Sequence, residues 1–266
     1  MLNKLFIKIN QEFAFSDFMM RGKKSTSIFF PGCSFMKFGS DMIYKTLNTL
    51  KKYDNNVEVC SLCCGRPSEV LDKKYQNKYE NKLINYIKNN NINKIYLACP
   101  NCFDKLNFIK NKYKLNIDIL LIYTILNEQL KTINNFKFHT IDDAVVIHDP
   151  CSIKNENVVH KSVRDILKCA GQKYIEADKN CAETICCGNK NMLHIINKKA
   201  SKKITNVCLK NLLCKSDVIL SYCNGCLYTF SNFNIKTIHL IEIIFGKIKN
   251  QNYLNRIKFV KGLDKC

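Results

Sequence analysis

Residues 94–106 read "KIYLACPNCFDKL", a short apolar run placed directly before a C-x-x-C pair. Short apolar runs that end at cysteine, proline or glycine are typical of buried β-strands. The run therefore predicts a strand, with Cys99 and Cys102 just beyond its end. Residues 217–230, "DVILSYCNGCLYTF", repeat the arrangement. The chain thus contains two strand–cysteine units of one kind.

Three further segments recur in the same order around this one. They are "SIFFPGCSF" (27–35) with "AVVIHDPCSI" (144–153), "CSLCCG" (60–65) with "TICCG" (184–188), and "NIDILLIYTILNEQL" (116–130) with "NIKTIHLIEIIFGKI" (234–248). The offset between the copies is 118 residues at the first cysteine and 123 or 124 at the later ones. Four matched segments at a nearly constant offset indicate an internal duplication.

Longer amphipathic stretches lie between the short apolar runs and predict helices. In the first copy, residues 38–53 and 68–90 carry apolar side chains at helical spacing, with Ser40 or Asp41 as the N-cap of the first helix. In the second copy we expect strands near 144–148, 173–176, 217–221 and 235–238, and helices near 156–170, 191–214, 223–232 and 239–248. Such alternation is typical of parallel sheets covered by helices.

The prediction is an α/β fold of two tandem duplicated Rossmann-like units. Each unit is a small, mostly parallel sheet flanked by helices, with the cysteines in loops at the strand C-termini. The expected division is an N-terminal extension at 1–24, a first cysteine-rich repeat at 25–135, a second at 140–250 and a C-terminal tail at 251–266. Because the loops after parallel strands meet at one edge of the sheet, cysteines far apart in sequence should converge there.

The cysteines are numerous and clustered, with 16 in 266 residues. We expect the chain in the cytoplasm, where thiols stay reduced and clusters of them indicate metal binding or redox catalysis. A tetrahedral zinc ion needs four ligands, and adjacent cysteines chelate one ion poorly, so five thiols indicate a centre with several metal atoms. Each copy supplies five matched thiols: Cys33, Cys63, Cys64, Cys99 and Cys102 in the first, and Cys151, Cys186, Cys187, Cys223 and Cys226 in the second.

The overall composition is that of a globular protein. Hydrophobic residues make up 46% and charged residues 24% of the chain, which is ordinary for globular domains. The formal net charge of +20 comes from lysines spread along the chain, which predicts solvated faces rather than a nucleic-acid surface. We find no secretory signal and no run of about 18 apolar residues, so we expect no membrane span and a cytoplasmic location.

The pattern C…CCG…C-x-x-C, written twice over roughly residues 27–248, resembles the cysteine-rich CCG domain family. That family includes the cysteine-rich subunit of heterodisulfide reductase and the iron–sulfur subunits of glycerol-3-phosphate dehydrogenase and of lactate or glycolate oxidation systems. The resemblance implies two iron–sulfur clusters, one held by each matched set of five cysteines. In heterodisulfide reductase these clusters are of a non-cubane 4Fe–4S type and face a cavity where a mixed disulfide is cleaved one electron at a time.

Two functions follow from this resemblance. In the first, the chain is an oxidoreductase subunit that reduces or exchanges a small thiol or disulfide substrate. In the alternative, it is an electron-transfer subunit of a flavin-dependent dehydrogenase complex and has no substrate site of its own. Since the sequence shows no ferredoxin-like C-x-x-C-x-x-C run, a ferredoxin-like or flavoprotein subunit is the expected electron donor.

Zinc remains open as the metal of one repeat, and a zinc-stabilised interaction domain is the third class of function. Cys60 lies three residues before Cys63 and is either a competing ligand or a core thiol. For the cysteines outside the matched sets we expect buried apolar packing; they are Cys169, Cys181, Cys208, Cys214 and Cys266.

His148 lies at a predicted strand end, three residues before the first cysteine of the second repeat. Three roles are open for it: catalytic proton donor to a departing thiolate, hydrogen-bond partner that tunes a cluster, or satisfied histidine. We expect His239 to cap or pack at a helix start and His194 to lie on a helix surface. Arg66 and Lys190 follow the two CCG sequences and would raise a cluster's potential or attract an anionic substrate, but solvated surface charge is the simpler expectation.

Overall fold

The computed structural model describes residues 2–263, with side chains from residue 4 onward, and Cys266 lies outside this range. The strands are β1 (Ser27–Phe30), β2 (Glu58–Val59), β3 (Lys94–Leu97), β4 (Asp118–Leu121), β5 (Val145–His148), β6 (Tyr174–Glu176), β7 (Val218–Ser221) and β8 (Lys236–His239). The helices are α1 (Leu2–Ala14), α2 (Gly32–Phe35), α3 (Ser40–Lys51), α4 (Lys73–Asn89), α5 (Pro100–Tyr113), α6 (Ile122–Thr132), α7 (Asn157–Ala170), α8 (Leu193–Ile196), α9 (Lys198–Leu213), α10 (Asn224–Ser231), α11 (Leu240–Phe245) and α12 (Leu254–Leu263). None of these helices within the described range has the length and apolar character needed to cross a membrane.

The strands form two four-stranded sheets of identical order, β2-β1-β3-β4 and β6-β5-β7-β8, and every pairing is parallel. Phe29 pairs with Tyr96 in the first sheet, and Ile147 pairs with Leu220 in the second. Every residue of β1 and β5 is buried, which explains why the sequence of these inner strands is almost entirely apolar. The predicted α/β fold of two repeated units is therefore confirmed.

Contacts divide the chain into two compact units. One contains the described residues up to Ile122 together with those from Lys249 onward, and the other is Tyr123–Ile248. The helix α12 thus belongs to the first unit, where Phe259 packs on Tyr44 of α3 with ring centroids 5.5 Å apart. In the second unit, buried side chains of α9 pack on the inner strands β5 and β7.

Several helix boundaries differ from the sequence prediction. The helix expected over 68–90 begins only at Lys73, and the one expected over 239–248 ends at Phe245. The N-cap of α3 is Gly39, with φ 94° and ψ 171°, instead of Ser40 or Asp41. Glycine adopts this positive φ without the strain that a Cβ brings. The helix expected over 191–214 is interrupted twice. Asn191 and Met192 take left-handed conformations with φ of 53° and 59° just before α8, and Asn197, with φ −146° and ψ 88°, separates α8 from α9.

The strand order determines where a ligand can bind. In each sheet the chain leaves the first strand toward one neighbour and later crosses to the other side, so successive connections run in opposite directions. Parallel α/β sheets bind ligands in the crevice that this reversal opens at the strand C-termini. Cys33 follows β1 and Cys99 follows β3, and Cys151 and Cys223 follow β5 and β7 in the same way. The crevice of each sheet is therefore lined by cysteines.

Candidate metal centres

Three segments bring together the five matched thiols of the first repeat, here called the first array. The helix α2 carries Cys33, the loop after β2 carries the adjacent pair, and α5 carries Cys99 as its N-cap and Cys102 in its first turn. Cys33 is half-buried and the other four thiols are buried.

The thiols of the first array form a continuous row. Hydrogen bonds link Cys33 to Cys63, and Cys64 to both Cys63 and Cys102. A further hydrogen bond links Cys102 to Cys99. All five predicted ligands of the first repeat therefore meet at one place in the fold.

The second repeat forms the same row from its own five thiols, here called the second array. Hydrogen bonds link Cys151 to Cys186, Cys186 to Cys187, Cys187 to Cys226 and Cys226 to Cys223. The order of the thiols along this row matches, residue by residue, the order in the first array. Cys151 and Cys186 are half-buried, and the other three are buried. The duplication has thus preserved both the donor set and its connectivity.

Contacts between the thiols perturb their acidity. Hydrogen bonds from Cys102 and Cys63 hold the pKa of Cys64 well below that of an ordinary thiol. The bond to Cys64 raises the pKa of Cys102 far above the ordinary value. In the second array, bonds with neighbouring thiols lower the pKa of Cys186 and raise that of Cys226. The hydrogen bond with Cys102 also lowers the pKa of Cys99. Part of each array therefore ionises readily, whereas ionisation of the remaining thiols requires a compensating cation, which a bound metal supplies.

Glycines allow the backbone to approach the sulfurs. Gly65 and Gly188, which end the two CCG sequences, have φ of 77° and 89°. Each backbone N–H donates to the first sulfur of its own CCG sequence, at 3.4 Å and 3.3 Å. A Cβ on Gly32 would lie 3.0 Å from Cys102 Sγ. Five thiols with backbone donors at this range form a donor set that fits an iron–sulfur group.

Residues from both ends of the chain adjoin the first array. Gln11 of α1 donates from Nε2 to Cys63 Sγ at 3.6 Å, and its buried Oε1 has no hydrogen-bond partner among residues 2–263. Arg256 of α12 is 2% exposed and donates from Nη2 to the carbonyl oxygen of Ser61 at 3.1 Å. Its positive charge acts on the thiols of Cys33 and Cys63. A buried guanidinium here stabilises negative charge on the first array.

A histidine adjoins the second array. One imidazole nitrogen of His148 and the sulfurs of Cys187 and Cys226 all lie within 4.8 Å of one another. His148 Nδ1 lies 3.8 Å from Cys208 Sγ, while Nε2 is buried and has no hydrogen-bond partner in the described part of the chain. Burial lowers the pKa of His148 to about 4. The ring is therefore neutral near pH 7 and presents a lone pair.

Asp149 anchors the loop that carries the adjacent cysteines of the second array. Its carboxylate is buried and accepts hydrogen bonds from Arg164 at 2.7 and 2.8 Å and from the Tyr222 hydroxyl at 2.8 Å. The backbone N–H of Cys181 donates to Asp149 Oδ2 at 2.9 Å, and the Thr184 hydroxyl donates to its carbonyl oxygen at 2.8 Å. Sequence reasoning missed this residue, although its place between a predicted strand and a matched cysteine was an available signal.

Two predicted residues near the first CCG sequence take structural roles. Cys60 is buried and its thiol hydrogen-bonds to Tyr86. Arg66, expected as a solvated surface charge, is instead buried and donates to Asp104 Oδ2 at 2.5 Å. The pairing explains the burial, because a guanidinium can leave water when a carboxylate compensates its charge. The same charge acts on Cys64.

The cysteines outside the arrays divide into two groups. Cys208 is buried, as expected. Cys169 and Cys214 are exposed, and the expectation of buried packing is wrong for both. Cys169 is the second-last residue of α7, and Cys214 is the C-cap that follows α9, so both lie where long helices end. Cys181 is half-buried.

The other polar candidates are placed as follows. His239 caps α11: its side chain accepts from the backbone of Ile241, and Glu242 accepts from the His239 backbone. The predicted capping role is therefore confirmed. His194 is half-buried in the short helix α8 rather than on the surface of a long helix. Lys190 is exposed, as expected for a solvated charge.

Comparison with known proteins adds a family match. A family model described as a CCG cysteine-rich domain matches the chain twice, at residues 27–107 and 145–231. No curated protein sequence matches. Among solved structures, the chain is similar to aspartate racemase from Picrophilus torridus, with 13% identity, a TM-score of 0.35 and coverage of 88% of this chain and 98% of that chain. It is also similar to glutamate racemase from Aquifex pyrophilus, with 14% identity, a TM-score of 0.32 and coverage of 85% of each chain. Likenesses this weak carry no argument about activity.

Proposed function

The chain belongs to the CCG cysteine-rich domain family, and on that premise we propose that it is the iron–sulfur subunit of an oxidoreductase that reduces or exchanges a small disulfide or thiol. CCG domains usually bind iron–sulfur clusters, and the clustered cysteines of this chain fit that use. The finer assignment, similar to the cysteine-rich subunit of heterodisulfide reductase with one 4Fe–4S cluster in each array, is our proposal.

The observation that carries the proposal is the identical row of five thiols in the two repeats. A structural zinc site needs four ligands and gains nothing from a fifth thiol adjacent to another. Five thiols in a row suit a group with several metal atoms, each taking one or two of them. Packing alone would not preserve the same order of contacts twice, because core positions tolerate most apolar residues of similar volume.

The chain's own residues have three tasks in this function. The thiols bind the clusters, with Cys64 and Cys186 the first to ionise. The buried strands and helix starts exclude water from most of each array. The half-buried Cys151 and Cys186, with the exposed Lys190 close in sequence, leave the second array open to an anionic substrate. Bound clusters would supply electrons singly.

Reduction of a disulfide consumes two electrons and two protons and yields two thiols, so a reductant is required. A reduced ferredoxin-like or flavoprotein partner is the proposed source. The alternative function, an electron relay without its own substrate, is favoured by one observation: four of the five thiols of the first array are buried. Such burial leaves little room for a substrate sulfur to reach that array, but it does not prevent electron transfer.

The test uses protein loaded with iron and sulfide under anaerobic conditions, with reduced viologen as the electron source and oxidised glutathione as a small anionic disulfide. We expect disulfide-dependent oxidation of two dye molecules per disulfide, and a change in the cluster EPR spectrum when thiol is added. Cys187→Ser should abolish the activity, whereas Cys169→Ala, which removes an exposed thiol outside the arrays, should leave it unchanged.

Two outcomes would contradict the proposal. Activity that disappears in Cys169→Ala would mean ordinary thiol exchange at the surface. The second outcome is an EPR spectrum that does not change when thiol or disulfide is added. If such a protein still transfers electrons between a flavoprotein and a dye, the relay function is established instead.

A further inference from the structure

The two arrays differ at one position beside them. His148 is the last residue of β5, three residues before Cys151, and Phe30 is the last residue of β1, three residues before Cys33. Both side chains are buried, at 2% and 0% exposure. The first repeat therefore offers five thiols and a hydrocarbon ring at this place, whereas the second offers five thiols and an imidazole.

Two contacts of the imidazole, and one hydrogen bond made by its neighbour Cys208, fix the orientation of the ring. Its ring meets Phe230 edge to face, with centroids 5.0 Å apart. Its Nδ1 lies 3.8 Å from Cys208 Sγ, and the Cys208 thiol donates to the carbonyl oxygen of Ile185 at 3.3 Å. With the Cys208 proton directed at this carbonyl, the sulfur is free to accept from Nδ1–H. Nδ1 therefore has a partner, and Nε2 is the nitrogen left with a lone pair.

The imidazole of His148 belongs to a donor set. A nitrogen of His148 and the sulfurs of Cys187 and Cys226 lie mutually within 4.8 Å, a separation that small side-chain movements reduce to that of ligands on one metal atom. Histidines that bind metals almost always donate their second ring N–H to a neighbour that fixes the tautomer. Cys208 occupies that place here.

We propose that His148 Nε2 ligates the metal group of the second array, which makes this centre a mixed cysteine–histidine centre while the first is ligated by thiolates alone. The proposal rests on the proposed function in one respect, namely that the arrays hold metal. Cys208 is the positioning residue that orients the imidazole. Because a neutral imidazole brings less negative charge than a thiolate, a thiolate in its place, as in His148→Cys, should lower the reduction potential of the second centre only.

The test is pulsed EPR of the whole chain, loaded with iron and sulfide and partly reduced, in two forms: unlabelled, and labelled with ¹⁵N in histidine alone. We expect a strong nitrogen coupling at one of two centres, and its conversion from a ¹⁴N to a ¹⁵N pattern in the labelled protein. Both forms have the wild-type sequence, so this measurement can be made even if a substituted protein does not fold. His148→Phe, which installs the residue of the first repeat, assigns the coupling by abolishing it.

The outcomes separate this proposal from the previous one. Two iron centres without a histidine coupling, or a coupling that persists in His148→Phe, would overturn the histidine ligand and leave the proposed function standing. Protein without bound metal would overturn both. If zinc fills the second array, its X-ray absorption spectrum gives the same answer: a nitrogen shell at about 2.0 Å beside sulfur at about 2.3 Å supports the ligand, and sulfur alone contradicts it.

Discussion

Gly65 and Gly188 end the two CCG sequences and provide a matched pair of substitutions. Both have positive φ, 77° and 89°, so alanine brings left-handed strain of about 1–2 kcal/mol at either position. The surroundings differ. A Cβ on Gly65 would have its nearest neighbours at 3.8 and 3.9 Å, which is ordinary contact. A Cβ on Gly188 would lie 2.6 Å from the carbonyl oxygen of Ser201 and closer still to Thr205 Oγ1.

Movement that relieved the clash at Gly188 would disrupt other contacts of the same residues. Ser201 and Thr205 belong to α9, and they also hold the CCG loop: Ser201 Oγ donates to the Gly188 carbonyl at 2.8 Å and Thr205 Oγ1 to that of Cys187 at 2.9 Å. Overpacking of this kind costs about 1–3 kcal/mol. Gly65→Ala should therefore lower the free energy of unfolding by about 1–2 kcal/mol. Gly188→Ala should lower it by about 2–5 kcal/mol, because overpacking adds to the same backbone strain.

The assay is urea unfolding of the anaerobically purified variants, combined with hydrogen exchange of peptides from α4 and α9. We expect faster exchange in α9 of Gly188→Ala, loss of the metal of the second array, and an intact first array. Gly65→Ala should retain both metals. Equal destabilisation by the two substitutions, or an unperturbed α9 in Gly188→Ala, would refute the packing argument.

Other contacts in the first unit give three shorter predictions. Burial favours the neutral form of Glu80, but hydrogen bonds from lysines, among them Lys105 at 2.8 Å, outweigh it and lower the pKa of Glu80 below 4.5. The carboxylate thus contributes stability above that pH and loses it as pH falls through the lowered pKa. Glu80→Gln should lower the free energy of unfolding by an amount on the order of 3 kcal/mol at neutral pH. It should also reduce the loss of stability on acidification below the ordinary pKa of glutamate, measured by urea titration; an unchanged profile would contradict this. Arg256→Gln should lower the midpoint potential of the first centre in an EPR redox titration while Arg256→Lys largely retains it, and equal shifts at both centres would count against the buried charge. Cys60→Ser should keep the full iron content because the Cys60 thiol faces Tyr86; loss of one centre would show that it is a ligand.

Much of the fold was predictable because parallel strands are buried on both faces. Runs such as Ser27–Phe30 and Val145–His148 are buried throughout and mostly apolar for that reason, and each is followed closely by a cysteine of its array. Because the chain is duplicated, each strand and each cysteine position could be predicted independently from both copies. The capping role of His239 was predictable as well, since its signal lies within four residues of sequence.

The parts that the sequence did not predict depend on distant contacts. Arg256 and Gln11 lie in ordinary helical sequence at the two ends of the chain, and only the packing of α12 and α1 brings them to the first array. Arg66 was expected to be a surface charge because its partner, Asp104, lies 38 residues later in the sequence, in α5. Neither the left-handed Asn191 nor the helix break at Asn197 is signalled by a glycine or proline.

Iron and acid-labile sulfide content decides whether the arrays bind what we propose. Anaerobically loaded wild-type protein should contain about eight irons and eight sulfides per chain, as two four-iron clusters require. Cys64→Ser and Cys187→Ser should each retain about half, with complementary EPR spectra, since each array is complete within its own repeat. Colourless, iron-free wild-type protein, or loss of all iron from either single variant, would contradict two independent centres.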